Sequence, residues 1–138
     1  MKFTSLHSLG IMNILITGGS GFIGSHLSDR LLKNDNNLYL LDNLLTGKKE
    51  NIDHILDNQS VTFIEHDVQD HIEIKEKIDY VLHFASAASP VAYTENPVNT
   101  LKAGSVGTIN TLGLAKKHKA EYLLASTSEV YGDPLITP

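Results

Sequence analysis

Apolar residues fall into short runs that alternate with stretches of helical spacing. Asn13–Thr17 (NILIT), Leu38–Leu41, Val61–Glu65, Tyr80–Phe84 and Tyr122–Ala125 each read as a strand. Their nearly continuous apolar character suits strands buried on both faces. Between the first two, Phe22–Lys33 places Phe22, Ile23, Leu27, Leu31 and Leu32 at helical spacing, and Asn34–Asn37 ends the helix. Lys48–Leu56 predicts a short helix. Asp70–Lys77 reads as a polar connection of one or two helical turns, and Ala85–Asn96, rich in Ala, Ser and Pro, as a loop. Val98–Lys119 predicts one long helix with Leu101, Ser105, Thr108, Leu112 and Ala115 along one face. No further element is expected after Ser126.

The predicted order is β-α-β-α-β-α-β-α-β. Strands alternating with helices call for a parallel sheet, and right-handed crossovers leave few topologies. The expected fold class is therefore α/β, a Rossmann-type doubly wound parallel sheet of about five strands in the order 3-2-1-4-5. A single domain is expected over 13–138, preceded by an extension, 1–12, in which either Met1 or Met12 is the start.

The turn after the first strand carries the chemistry. Gly18-Gly19-Ser20-Gly21-Phe22-Ile23-Gly24 spells G-x-x-G-x-x-G between a strand and a helix. Gly18 permits the tight turn, Gly21 lets a pyrophosphate approach the backbone, and Gly24 lets the helix pack close to the sheet. The helix N-terminus then offers free N–H groups to phosphates. Asp42 closes the second strand, 18 residues after Gly24, where a ribose-binding acid is expected. A carboxylate there suits the ribose diol of NAD and repels the 2′-phosphate of NADP, although Lys48 and Lys49 lie nearby. Asp67 follows the third strand at the sheet's carboxyl edge. It reads equally as an adenine contact, with the Val68 backbone, or as a cap on a following helix.

Charge and composition narrow the classes. The net charge is −5 and no basic stripe stands out, which argues against a nucleic-acid partner. Lys116, Lys117 and Lys119 suit the negative end of a helix. The absence of Cys excludes disulfides, thiolate metal sites and a cysteine nucleophile. No apolar run is long enough to span a membrane, and Met1–Ile11 lacks the apolar stretch of a signal peptide, so a cytoplasmic protein is expected. His66, Asp67, Asp70 and His71 cluster without the spacing of a zinc site, so no metal is expected. His26 and His83 read as packing or surface residues.

The segment Ser126-Thr127-Ser128-Glu129-Val130-Tyr131-Gly132-Asp133-Pro134 resembles the active-site serine segment of the extended short-chain dehydrogenases. Together with ILITGGSGFIGSHL, DNLLTGKKENI, ASPVAYTENPVNT and GTINTLGLAKKHKAEYLLASTSEVYGDP, it is most similar to one branch, the UDP-glucuronate decarboxylases. The resemblance covers nearly all of Asn13–Pro138. It implies that Gly18, Gly21, Phe22, Ile23, Asp42, Asn43, Thr46, Gly47, Asp67 and Val68 hold NAD. It places Ala85 and Ser86 at the nicotinamide end and Tyr93 near the sugar. Thr127 and Ser128 would bond the hydroxyl being oxidised, and Glu129 would assist decarboxylation of UDP-glucuronate. The family pairs through the helix at Val98–Lys119, which implies a homodimer.

The family's general base is the Tyr of a Tyr-x-x-x-Lys pair. Residues four positions after Tyr39, Tyr80, Tyr93, Tyr122 and Tyr131 are Asn43, Phe84, Pro97, Ser126 and Leu135, so none forms that pair. The chain is expected to stop short of the Tyr–Lys helix and of the substrate lobe, and to be inactive alone. The alternatives are a non-catalytic NAD-binding module used in assembly, or part of a dTDP-glucose 4,6-dehydratase or UDP-glucose 4-epimerase.

Overall fold

The computed structural model describes residues 10–133, with the side chains of Ser128 and Glu129 outside the description. Most of the expected extension 1–12 and all of 134–138, including Pro134, lie outside the described residues. Five strands form one parallel sheet: β1 Asn13–Thr17, β2 Asn37–Asp42, β3 Val61–Glu65, β4 Tyr80–His83 and β5 Glu121–Leu124. Their order is β3-β2-β1-β4-β5, as the alternating pattern predicts. The sheet is in register from Asn13↔Asn37 to Thr17↔Leu41 on one side of β1, and from Ile14↔Tyr80 to Thr17↔His83 on the other.

The core lies on both faces. Ile14, Ile16, Leu38 and Leu40 pack with Ile52 and Ile55 on the side of α1 (Phe22–Leu32) and α2 (Asp53–Leu56). Leu15, Leu41 and Val81 pack with Leu114 and Ala115 of α5 (Thr108–His118) on the other. Alternation along β1 therefore sends apolar side chains to both layers, which is why NILIT has no polar face.

Three sequence expectations need correction. First, no helix joins β3 to β4. The connection is irregular, and it is not a purely polar one: Ile72, Ile74 and Ile78 are buried in the α5-side core. Burying each such side chain is worth about 1.5–3 kcal/mol, so two-residue spacing with apolar anchors outweighed helix formation. Second, Ala85–Asn96 is not all loop. Pro90–Glu95 forms α3, capped by Ser89, whose hydroxyl accepts the Ala92 N–H.

Third, Val98–Lys119 is not one regular helix. It comprises α4 (Pro97–Lys102), a π-helical turn at Ala103–Gly107, and α5. Nor is the expected face the buried one: Ala115 is buried while Leu101 is 71% and Leu112 46% exposed. Gly107, Thr111, Leu114 and Ala115 face the sheet instead. Helix α1 leaves Phe22 and Ile23 79% and 57% exposed. It buries Gly24, Ser25 and Ser28, with Ser28 Oγ donating to the Gly24 carbonyl at 2.7 Å. Small residues there bring the helix axis close to the sheet.

The remaining differences are local. Lys48–Leu56 divides into a 3₁₀ turn at Lys49–Asn51 and α2, and a 3₁₀ turn also occupies Ser128–Tyr131. At the end of α5, Lys116, Lys117 and Lys119 are exposed, and Lys117 Nζ donates to Glu73 at 2.7 Å.

Candidate functional site

The carboxyl ends of β1, β2, β3 and β4 open into one cleft, the place where such sheets receive ligands. Its floor is the glycine turn. Gly18 adopts φ +72°, and a Cβ there would lie 2.9 Å from the Phe84 carbonyl carbon. Gly18 N and Gly19 N both donate to Leu41 O, at 2.8 and 3.3 Å, so the turn is tied to the end of β2. The first bond of α1 runs from Ser25 N to Gly21 O at 3.0 Å. The amides of Phe22, Ile23 and Gly24 therefore precede the helical ladder and remain available to an acceptor. At Gly24 an added Cβ would overlap the Gly18 carbonyl oxygen, so its role is close packing beneath the turn.

Asp42 is buried, 7% exposed. Its Oδ2 accepts the Ser20 amide at 3.1 Å and its Oδ1 the Leu44 amide at 2.9 Å. Each carboxylate oxygen has two acceptor positions, so each keeps one for a ligand hydroxyl. The loop after β2 docks on the turn through the Ser20 carbonyl, which accepts from Lys48 N at 3.2 Å and Asn51 Nδ2 at 2.8 Å. Gly47 sits where any Cβ would overlap Ser20 Oγ and crowd the Asp42 carboxylate. Ser20 Oγ itself is buried and has no hydrogen-bond partner among the described residues.

Beyond β3, Asn43 Nδ2 donates to Asp67 Oδ2 at 2.8 Å, and Asp67 Oδ1 accepts the Gln69 amide at 2.8 Å. With no helix after it, Asp67 braces a turn, which corrects the helix-cap reading. At the end of β4, Thr17 Oγ1 accepts the Ala85 amide at 3.3 Å and lies 2.6 Å from His83 Nδ1. His83 is buried, and burial pushes its pKa below the ordinary histidine value. A neutral ring bonded to Thr17 fixes the turn that presents Ala85 and Ser86. His83 is thus a packing residue, as expected.

The structure brings Gly18, Gly21, Asp42, Asn43, Thr46, Gly47, Asp67, Val68, Ala85 and Ser86 onto the walls of this single cleft. Phe22 and Ile23 flank it at the start of α1. Tyr93, on α3, and Thr127, after β5, do not line it. The side chains of Ser128 and Glu129 fall outside the described residues. Sequence reasoning missed Asn99, Thr100 and Ala103, which close the wall from α4 and the π-helical turn. A signal for that wall was present: Pro90 and Pro97 each stand at a first helical position, where proline is favoured.

The donor set fits a dinucleotide. Free helix-start amides suit a pyrophosphate, glycines leave room for it, and Asp42 offers acceptor positions for a diol. Fold and cleft together define a Rossmann-type α/β domain of the extended short-chain dehydrogenase/reductase class. The family model described as GDP-mannose 4,6 dehydratase matches residues 15–138, and the chain belongs to that family.

The chain is 49% identical over 128 residues to UDP-glucuronic acid decarboxylase 4 of Arabidopsis thaliana, covering 93% of this chain and 28% of that protein. Among solved structures it resembles a UDP-N-acetylglucosamine 4-epimerase from Methanobrevibacter ruminantium M1, with TM-score 0.82 and 30% identity. That match covers 94% of this chain and 42% of the epimerase. It also resembles the Thermus thermophilus UDP-glucose 4-epimerase in complex with NAD, with TM-score 0.67 and 32% identity, covering 84% of this chain and 38% of the other. The chain spans about 28% to 37% of the length of the curated relatives it matches. Among the described residues, no helix is long and apolar enough to cross a membrane.

Proposed function

We propose that this chain binds NAD in the cleft and forms the cofactor-binding portion of a nucleotide-sugar-modifying enzyme of the UDP-glucuronate decarboxylase type. One observation carries the reading: the Asp42 carboxylate, oriented by the Ser20 and Leu44 amides, stands beside the open amides of the glycine turn. Asp42 would take the adenosine ribose diol, and the Phe22 and Ile23 amides the pyrophosphate. Asp67 and Val68 would line the adenine end, and Ala85 and Ser86 the nicotinamide end. When bound, NAD supplies a reversible hydride acceptor for oxidation at C4 of UDP-glucuronate, which lets the carboxylate leave as CO₂ and yields UDP-xylose after re-reduction. Thr127 and Ser128 would hold the reacting hydroxyl, with Glu129 beside the departing carboxylate. Identities of 48% to 50% to proteins named UDP-glucuronic acid decarboxylases favour this substrate over that of an epimerase or dehydratase.

Calorimetric titration with NAD and NADP tests the cofactor reading. NAD is expected to bind more tightly, because the 2′-phosphate would meet the Asp42 carboxylate. Equal or tighter NADP binding would sink it.

The exposed Leu101, Val106, Ile109 and Leu112 support a homodimer through Val98–Lys119. Light scattering should show the mass rising to that of a pair with concentration. A monomer at every concentration would contradict it.

A further inference from the structure

The turn after β3 is held by a side chain that does not line the cleft. Asn110, in the first turn of α5, directs its Nδ2 at three successive carbonyls: Val68 O at 2.9 Å, Gln69 O at 3.0 Å and Asp70 O at 3.0 Å. Only the NH₂ end of the amide can face three oxygens, so its orientation is fixed by its partners, with one hydrogen shared. Three residues earlier on the same helix face, buried Gly107 packs directly on Val68, and a Cβ there would come within 2.6 Å of Val68 Cγ2. The turn is braced from the other side by Asn43 on Asp67. Its internal bonds are the Gln69 amide to Asp67 Oδ1 at 2.8 Å, Gln69 Nε2 to Asp67 Oδ2 at 3.4 Å and the Asp70 amide to Asp67 O at 3.0 Å. The β3–β4 connection contains no helix of its own, so this backbone is held by contacts from outside it.

We infer that Asn110 is a positioning residue for the adenine end of the cleft: it holds the Asp67–Asp70 turn in the one shape that sets Asp67 and Val68 on the cleft wall. The inference rests on the reading of the cleft as an NAD site. Its mechanism is preorganisation. Without the clamp the turn samples other conformations, and apparent affinity falls in proportion to the fraction of chains that remain competent. Asn110 touches no ligand itself.

Two variants test it. Asn110→Asp keeps the side-chain volume but replaces the donor with acceptors facing three carbonyls. Asn110→Ser, the milder change, removes the reach. Calorimetry on the chain should show about tenfold weaker binding of both NAD and ADP-ribose, the loss expected from one or two missing hydrogen bonds. Nicotinamide mononucleotide, which lacks the adenine half, should bind as it does to the parent; a merely structural defect would not spare it. Hydrogen exchange without ligand should show the Gln69 and Asp70 amides about tenfold faster in either variant, as local opening becomes easier. Folded variants that bind NAD within twofold of the parent would overturn the positioning role. A parent chain that binds no NAD would instead overturn the reading of the cleft. The exchange measurement then decides on Asn110 alone, and unchanged protection at Gln69 and Asp70 would refute the clamp.

Discussion

Replacing Gly24 with Ala should cost the chain about 3 kcal/mol or more of stability, whereas replacing Gly21 with Val should leave the fold intact and weaken NAD binding by about 10²-fold or more. The two glycines lie three residues apart in one turn and meet different neighbours. At Gly24 a Cβ would overlap the Gly18 carbonyl oxygen and stand 2.9 Å from both Gly18 C and Gly19 Cα. All of these are backbone atoms of the turn on which α1 sits, so relief requires moving the helix off the sheet. Overpacking in a core typically costs about 1–3 kcal/mol, and an immovable neighbour puts this case at or above the upper end. A domain is commonly stable by only about 5–15 kcal/mol.

At Gly21 a Cβ meets only Gly18 O, at 3.2 Å, and the residue has extended backbone angles that any side chain adopts. The valine side chain would instead stand over the Phe22 and Ile23 amides. Two charge-assisted hydrogen bonds lost from the pyrophosphate correspond to a loss of affinity of about 10²-fold or more. Urea denaturation followed by circular dichroism, with calorimetry for NAD, checks both. A Gly24→Ala chain with the parent's midpoint, or a Gly21→Val chain with the parent's NAD affinity, would contradict these roles for the turn.

The 138-residue chain by itself should form no UDP-xylose from UDP-glucuronate, even with NAD added. A hydroxyl must lose its proton as hydride leaves, and the resemblance assigns that proton to a Tyr-x-x-x-Lys pair. None of the five tyrosines has a lysine four residues on. General-base catalysis is worth about 10²–10⁴-fold. Substrate positioning can contribute about 7–11 kcal/mol more, and the chain matches only 28% of a decarboxylase such as that of Arabidopsis thaliana. Tyr131 cannot substitute, since Leu135 stands where the lysine would be. The assay is chromatography of the nucleotide sugars after long incubation. Measurable UDP-xylose would overturn the assignment of the base, while binding of NAD without turnover is also what a non-catalytic NAD-binding module would show. Activity that appears on adding a separate Tyr-x-x-x-Lys polypeptide would separate these two, in favour of the enzyme.

The parts of the site legible in the sequence were those fixed by local rules. A strand, three glycines at fixed spacing, a helix and an acid after the next strand leave little freedom, and the cleft contains Gly18, Gly21 and Asp42 together, with Gly47, which only the resemblance implied. What escaped depended on long-range packing. Ile72 and Ile74 sit among polar residues, and only the sheet and α5 make them core. On the helix that ends in the triple-lysine segment the expected face follows Leu101 and Leu112, whereas the buried face carries Gly107, Thr111, Leu114 and Ala115, with a single leucine among smaller residues. Leu112 is at the surface and Thr111 in the core, where its hydroxyl lies 2.9 Å from Tyr122 Oη. Asn110 was invisible for the same reason: its three partners are about forty residues away in sequence, as each contact across a crossover must be.

The central claim is that a dinucleotide occupies the cleft above the glycine turn, and backbone amide NMR of the isotopically labelled chain during titration with NAD tests it most directly. The largest shifts are predicted at Phe22, Ile23, Leu44 and Val68, with none at Asn36, Asn58 and Ser60, which line a polar hollow at the opposite end of the sheet. Shifts centred on that hollow, or an unchanged spectrum at saturating NAD, would contradict the claim.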